Sequence, residues 1–315
     1  MADVKTVATR AGYGEALVEL GNKRDDFLVM DADLAAATQT GKFKEAFPDR
    51  FYNCGIAEQN MMSIAAGIAA TGKRVFVSSF AMFASGRAFE QIRNSICYPN
   101  LPVIIGATHG GISVGEDGAT HQCLEDIAIM RTLPNMTIIN PADAVEAKKA
   151  VYAAINHDGP VYMRFGRYAV PVVFDDSYYF KIGKANILRD GSDVTIIATG
   201  LMVDEALKAY DILKGEGISA RVINMATIKP LDNEAVLAAA KDTGAIVTAE
   251  EHSVIGGLGS AVSEVVCESC PVPVVKLGVY DRFGFSGPAG ELLDVFGLRA
   301  KDIAQKAKAA IALKK

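Results

Sequence analysis

The 315-residue sequence predicts an α/β protein of two three-layer α/β/α domains, each built on a mainly parallel sheet. Three observations lead there. Short apolar runs of strand length alternate with helical patterns, as parallel strands joined by crossover helices require. The alternation stops between Pro171 and Asp190, a proline-bearing, aromatic and acidic stretch, and then resumes. Half of the residues are hydrophobic, which supplies two cores, and the length agrees with two domains. We therefore expect a first domain over 1–172, a linker over 173–190 and a smaller second domain over 191–315.

The chain opens with a helical pattern from Thr9 to Leu20, where Ala11, Ala16, Leu17 and Leu20 share a face and Gly21 ends it. Phe27-Leu28-Val29-Met30 reads as a buried strand running into Asp31-Ala32-Asp33. Ala35 to Gly41 is small and polar, a loop. Phe51 to Asn53 is the next strand, and a turn delivers Glu58 to a helix running to Ala70. Almost nothing on Met61 to Ala70 is polar, so burial on every face is expected. A strand over Arg74–Ser79 precedes a helical pattern from Phe80 to Ile96. The strand Leu101–Gly106 spills into a glycine-rich loop, His109 to Gly118. Met136–Ile139 and Val161–Phe165 are strands flanking a helix over Asp143–Asn156.

In the second domain, strands are expected over Val194–Ala198, Ala220–Asn224, Ala245–Ala249 and Val274–Leu277. Helices are expected over Val203–Lys214, Asn233–Lys241, Gly257–Glu268 and Lys301–Lys314.

Several function classes are disfavoured. Net charge is −5 and no basic patch suggests nucleic acid. The longest apolar runs are broken by glycine or charge before membrane-spanning length. Met1-Ala2-Asp3-Val4-Lys5 is no signal peptide, and five scattered cysteines suggest reduced thiols in the cytoplasm. Cys267 and Cys270 have a C-x-x-C spacing but lack a second pair or a nearby histidine, so neither zinc nor redox chemistry is expected.

Candidate chemistry collects where strands end, the place where open parallel sheets bind ligands. Glu58 sits in the first turn of its helix. The helix N-terminus favours its charge and loss of water disfavours it, so it either complements the dipole or stands ready to exchange a proton. The loop from His109 to His121 carries glycines that let backbone approach a ligand, and its two imidazoles and two acids can face one site. It also reads as a plain surface loop. A metal set of His109, Asp117 and His121 has no helical spacing to support it. Phe80 and Phe83 fall on one face if that turn is helical, as core or as a stacking platform. Arg10 and Arg167 are isolated, and either could grip an anion with its forked guanidinium. There is no phosphate-binding G-x-x-x-x-G-K-[ST] motif, and Gly256-Gly257-Leu258-Gly259 fits helix packing better than nucleotide binding.

Phe51-Tyr52-Asn53-Cys54-Gly55-Ile56-Ala57-Glu58-Gln59-Asn60 resembles the pyrimidine-binding segment of transketolases. So do Ser79-Phe80-Ala81-Met82-Phe83, the loop Gly115 to Gln122, and Ile228-Lys229-Pro230-Leu231-Asp232. Glu250-Glu251-His252 and Gly256 to Gly259 resemble the family's C-terminal domain. The resemblance runs over nearly the whole chain but covers only the C-terminal half to two-thirds of an ordinary transketolase. The family's diphosphate module, a Gly-Asp-Gly followed by Asn, has no counterpart: Glu116-Asp117-Gly118 is the nearest imitation and Asn135 follows it too soon.

The resemblance thus implies the C-terminal subunit of a split transketolase, a cytoplasmic ketol transferase of the pentose phosphate pathway. It implies thiamine diphosphate shared with an N-terminal partner subunit, Mg²⁺ bound by that partner, and an α2β2 assembly. Carried over by position, Glu58 would bond the pyrimidine ring nitrogen, and Phe83 with Phe80 would stack on that ring. His121 and Gln122 would lie beside the cofactor and Asp33 near its thiazolium. His109 and Asp117 would meet sugar hydroxyls, and Arg10 and Arg167 the distal phosphate; Glu58, His109 and His121 would be the catalytic set. One departure is Ala37, where many transketolases carry a serine in the phosphate site; Thr38 and Thr40 are near enough in sequence to substitute. Deoxyxylulose-phosphate synthase and the β-subunit of 2-oxo acid dehydrogenases share parts of the pattern. A non-catalytic dimerisation or regulatory subunit is the remaining alternative.

Overall fold

Fourteen strands organise the computed structural model, which describes residues 5–314. Met1 to Val4, on which the signal-peptide reading partly rests, lie outside the described residues. In the first half are β1 Thr6–Ala8, β2 Phe27–Asp31, β3 Phe51–Asn53, β4 Arg74–Phe80, β5 Val103–Thr108, β6 Thr137–Ile139, β7 Val161–Arg164 and β8 Ala169–Pro171. The second half contributes β9 Asn186–Arg189, β10 Val194–Ala198, β11 Ala220–Asn224, β12 Thr227–Lys229, β13 Ile246–Ser253 and β14 Val274–Val279.

Seven strands form one sheet in the order β12-β6-β7-β5-β4-β2-β3, and five form a second in the order β14-β13-β10-β11-β9. Both sheets are parallel except at one edge, β12 in the first and β9 in the second. Strand residues alternate between faces, so each sheet needs cover on two sides. In the first sheet Met30, Val75, Val77 and Ile105 pack with Met61, Met62 and Ala65 of the helix Glu58–Ala70. Val29, Phe76, Ile104 and Met163 pack on the other side with Tyr13 and Leu17 of the helix Thr9–Lys23 and with Ala147 and Val151 of the helix Ala144–Ala154. In the second sheet Ile196 and Val222 meet Val203 and Ile303, while Ile197 and Ile223 meet Val236 and Val262. The expected α/β/α layering is present in both.

The two halves are joined by more than a linker. β12 leaves the second domain and pairs antiparallel with β6, Thr227 opposite Ile139. Lys229 Nζ then donates to the carbonyl of Arg131 at 2.9 Å and to that of Leu133, capping the end of the helix Asp126–Arg131. Ile112, Leu124 and Ala142 of the first domain sit in the second domain's core.

Four expectations need correction. Part of the stretch read as linker is sheet: Asn186–Arg189 pairs antiparallel with β11. Ala35 to Gly41 is not a loop; Ala35–Thr38 and Gly41–Ala46 are short helices, held by a buried Asp31. The pattern from Phe80 to Ile96 is not one helix. Phe80 ends β4, and the wide turns Met82–Arg87 and Ile92–Cys97 flank Phe89–Gln91. Nor is the helix Glu58–Ala70 buried all round: Asn60, Ser63, Ile64 and Gly67 are exposed at helical spacing, Ile64 by 41%. Its outer stripe is surface, because no element among the described residues lies over it.

Candidate active site

β3 and β4 lie on opposite sides of β2, so the chain must cross over between them. The helix Glu58–Ala70 is that crossover, and its first residue stands at the carboxyl edge of the sheet. The turn before it is tightly tied. Cys54 N donates to the carbonyl of Asp31 at 2.9 Å, and Asn53 Oδ1 accepts from Gly55 N at 3.0 Å and Asp33 N at 3.1 Å. Gly55 has φ +70°, which suits the residue there.

Glu58 is 1% exposed. Ser79 Oγ donates to its Oε1 at 3.2 Å, and Arg87 Nη1 donates to its Oε2 at 2.8 Å. The Arg87 guanidinium lies 4.5 Å from the centre of the Phe83 ring. Phe83 lies 5.9 Å from Phe80 in a stacked pair, and His121 stands edge-on to it at 5.2 Å. Phe80 is also stacked on His109 at 3.8 Å. Carboxylate, aromatic platform and both imidazoles therefore share one wall.

His109 follows the end of β5 with φ +59°. Its Nδ1 is 2.9 Å from Thr108 Oγ1 and its Nε2 is 3.4 Å from Arg10 Nη1. Burial, then the nearby Arg10, Arg167 and His121, push the imidazole down to about 3, so it is neutral at pH 7. Arg10 also donates to the carbonyl of Ala37 at 2.7 Å. Its own pKa is lowered by burial and by Arg167, so the two guanidiniums stand near one another. Arg167 Nη1 bonds Glu116 Oε2 at 2.7 Å and the carbonyl of Val114.

The remaining sequence-predicted residues sit around this wall. Asp117 is exposed at the end of the turn Ile112–Asp117. Asp33, with φ +66°, accepts from Asn53 Nδ2 at 2.8 Å; its hydrogen bonds run to Asn53 and not to the aromatic cluster. Gln122 is buried and donates to the carbonyls of Ile112, Gly115 and Phe285 at 3.2, 3.2 and 3.0 Å. It staples the glycine loop to the second domain, leaving Oε1 unpartnered. Thr38 and Thr40, beside Ala37, face Asp31. Both hydroxyls are buried and donate to Asp31 Oδ2, at 2.7 and 2.9 Å. Burial raises the Asp31 pKa, against the pull of those bonds and of Leu34 N.

Three partners were not foreseen. Arg87 lies four residues beyond Phe83, a helical spacing that was available as a signal. Ser79, in the motif Ser79-Phe80-Ala81-Met82-Phe83, bonds the Glu58 carboxylate. Glu251 sits under the loop: its carboxylate accepts from Ser113 N, and a Cβ on Gly111 would fall 2.3 Å from its carboxyl carbon. Burial raises Glu251 to about 7, with Arg164 and Ser113 pulling it down. Arg164 links the same parts, donating to Asp126 Oδ2 at 2.9 Å and to the carbonyls of Cys123 and Glu251 at 3.1 and 3.0 Å.

The arrangement suits a flat, nitrogen-bearing ring: an aromatic platform beside a buried carboxylate in a wall rich in hydrogen-bonding groups. Among the described residues no group of three or more His, Cys, Asp or Glu side chains could hold a metal ion, and no helix is long and apolar enough to cross a membrane. All five cysteines are free thiols.

This fold and this wall are those of a transketolase-type domain pair. The profile of the transketolase pyrimidine-binding domain matches residues 5–172, and that of the transketolase C-terminal domain matches residues 183–303. The chain belongs to the transketolase family. It is 52% identical over 300 residues to a Methanocaldococcus jannaschii chain provisionally assigned as a transketolase C-terminal section, covering 94% of each. It is 45% identical to a 6-deoxy-6-sulfo-D-fructose transketolase subunit of a Clostridium species, covering 95% of this chain and 92% of that one. The structure superposes with a TM-score of 0.92 on a split-gene transketolase described as an inactive β4 tetramer, 52% identical, covering 98% of this chain and 100% of that one.

Proposed function

We propose that this chain is the C-terminal subunit of a thiamine-diphosphate-dependent transketolase, moving a two-carbon ketol unit from a ketose phosphate to an aldose phosphate. The observation that carries the reading is Glu58, buried at the carboxyl edge of a parallel sheet and joined through Arg87 to the ring of Phe83. Thiamine diphosphate, when bound, supplies a nucleophilic carbon and an electron sink for the ketol fragment.

The chain's own residues do the rest. Glu58 holds the proton at the pyrimidine ring nitrogen, with Ser79 fixing its second oxygen. Phe83 and Phe80 carry the ring, and His121 lines the wall beside it with Gln122 holding the loop. Asp33 closes the thiazolium side. Neutral His109 bonds sugar hydroxyls, joined by Asp117, and Arg10 and Arg167 grip the terminal anion. An N-terminal partner subunit supplies the diphosphate and Mg²⁺ site, and the exposed stripe of Ser63, Ile64 and Gly67 suits packing in an α2β2 assembly. The setting is the cytoplasm, in pentose phosphate metabolism.

A second reading concerns the donor alone. Ala37 offers no hydroxyl, Thr38 and Thr40 are spent on Asp31, and a similar subunit is named for a sulfonated ketose. Paired arginines accept a sulfonate as well as a phosphate.

The test is titration of thiamine diphosphate with Mg²⁺ into the chain alone and mixed with its N-terminal chain. Ketol transfer from xylulose 5-phosphate to ribose 5-phosphate is followed in the same samples. Binding and turnover only in the mixture are expected, with Glu58→Gln abolishing turnover while assembly persists. Normal turnover by Glu58→Gln would remove its proton role.

A further inference from the structure

Arg87 makes both contacts that a bound aminopyrimidine needs. Its Nη1 donates to Glu58 Oε2 at 2.8 Å while its guanidinium lies 4.5 Å from the centre of the Phe83 ring. A guanidinium and a 4-aminopyrimidine are alike in the relevant parts: each is flat, each presents an N–C–N edge that pairs with a carboxylate, and each stacks on an aromatic face. A guanidinium and an aminopyrimidine would compete for Glu58 Oε2 and for the face of Phe83 that Arg87 covers.

We propose that Arg87 is a positioning residue that fills the aminopyrimidine's place, keeping Glu58 and Phe83 oriented until the ring displaces its side chain. The proposal rests on the thiamine diphosphate reading. The surroundings allow such an exchange. The Arg87 side chain is 46% exposed while that of Glu58 is 1% exposed, so the guanidinium can turn into water as the carboxylate stays. The Arg87 backbone is held by Gln59 Nε2, which donates to its carbonyl at 3.2 Å, so the side chain can move alone. Ser79 keeps Oε1 occupied throughout, leaving Oε2 as the oxygen exchanged.

The experiment uses two probes, read by calorimetry and by the near-ultraviolet circular dichroism of the bound ring. The chain has no tryptophan, so its own near-ultraviolet signal comes from tyrosine and phenylalanine. Thiamine diphosphate with Mg²⁺ is titrated into the complex with the N-terminal chain, and 4-amino-5-hydroxymethyl-2-methylpyrimidine into the full chain alone. Losing one half-exposed charge-assisted contact should let Arg87→Ala bind both about 5-fold tighter. Arg87→Lys keeps the charge without the flat fork and should fall between Arg87→Ala and the wild type. Arg87→Gln, without charge, reads the same comparison if Arg87→Ala fails to assemble. Weaker binding by the variants would make Arg87 a direct contact of the bound ring and overturn the proposal. Unchanged binding would reduce it to a structural arginine. No binding by wild type or variants would remove the thiamine diphosphate reading itself, and this inference with it.

Discussion

Arg10 Nη1 and His109 Nε2 meet at 3.4 Å, and the contact decides which imidazole nitrogen carries the proton. Arginine only donates, so Nε2 accepts, and the proton sits on Nδ1, donated to Thr108 Oγ1 at 2.9 Å. With the imidazole pushed down to about 3, His109 should stay neutral in that single tautomer from pH 5 to 8. Its ¹⁵N resonances should not titrate over that range. Arg10→Ala removes a neighbouring positive charge and should move the titration to higher pH; no movement would show that Arg10 does not contribute to it.

Arg167 is engaged by Glu116, a pairing that holds the exposed Glu116 below the usual carboxylate range. On the proposed reading, a substrate phosphate would compete with Glu116 for this guanidinium. Arg167→Ala should raise the KM of phosphorylated sugars far more than it lowers kcat, and Glu116→Gln should lower that KM. Steady-state kinetics of the reconstituted enzyme reads both.

The Asp126–Arg164 pair is buried on both sides, 0% and 4% exposed. Burial works against the Arg164 charge, yet Asp126, Glu251 and the other neighbouring groups together raise its pKa. Asp126→Asn strands a buried cation, and urea unfolding should show a loss of about 3–5 kcal/mol. The double variant Asp126→Leu with Arg164→Met should lose less than that single change, because the stranded cation is gone.

Glu146 is buried between the first domain and the stretch that follows it, accepting from Ala142 N, Tyr178 Oη and Asn224 Nδ2. Burial raises it from the ordinary 4.5 to about 7. A raised carboxyl contributes stability that is complete below its unfolded pKa and is lost as pH climbs through the folded one. Its share of stability should therefore fall between about pH 4.5 and 7, by at most about 3 kcal/mol, and level off above. Thermal melts of Glu146→Gln should show a flatter pH dependence than the wild type over that window.

The strands at the centre of both sheets were legible because they are apolar runs buried on two faces. β1, β8, β9 and β12 were not, since each is short and exists only through a partner distant in sequence, as Thr6 opposite Pro171 illustrates. The helices Ala35–Thr38 and Gly41–Ala46 have no apolar period; the folded Asp31 holds their ends in place. In the site, the Glu58 turn and the aromatic pair could be read from residue type and spacing. The pairing of Arg87 with Glu58 could not, because it joins the start of one helix to a wide turn beyond the next strand. For Thr38 and Thr40 the position near Ala37 was plain in the sequence, and the orientation towards Asp31 was not.

β12 gives the second domain a role in the solubility of the first. By pairing with β6 it covers hydrogen-bonding groups that would otherwise lie along an open sheet edge, the usual template for strand addition between molecules. A truncation after residue 172 removes that cover and should aggregate through the bared edge. The same strap opposes hinge motion between the halves.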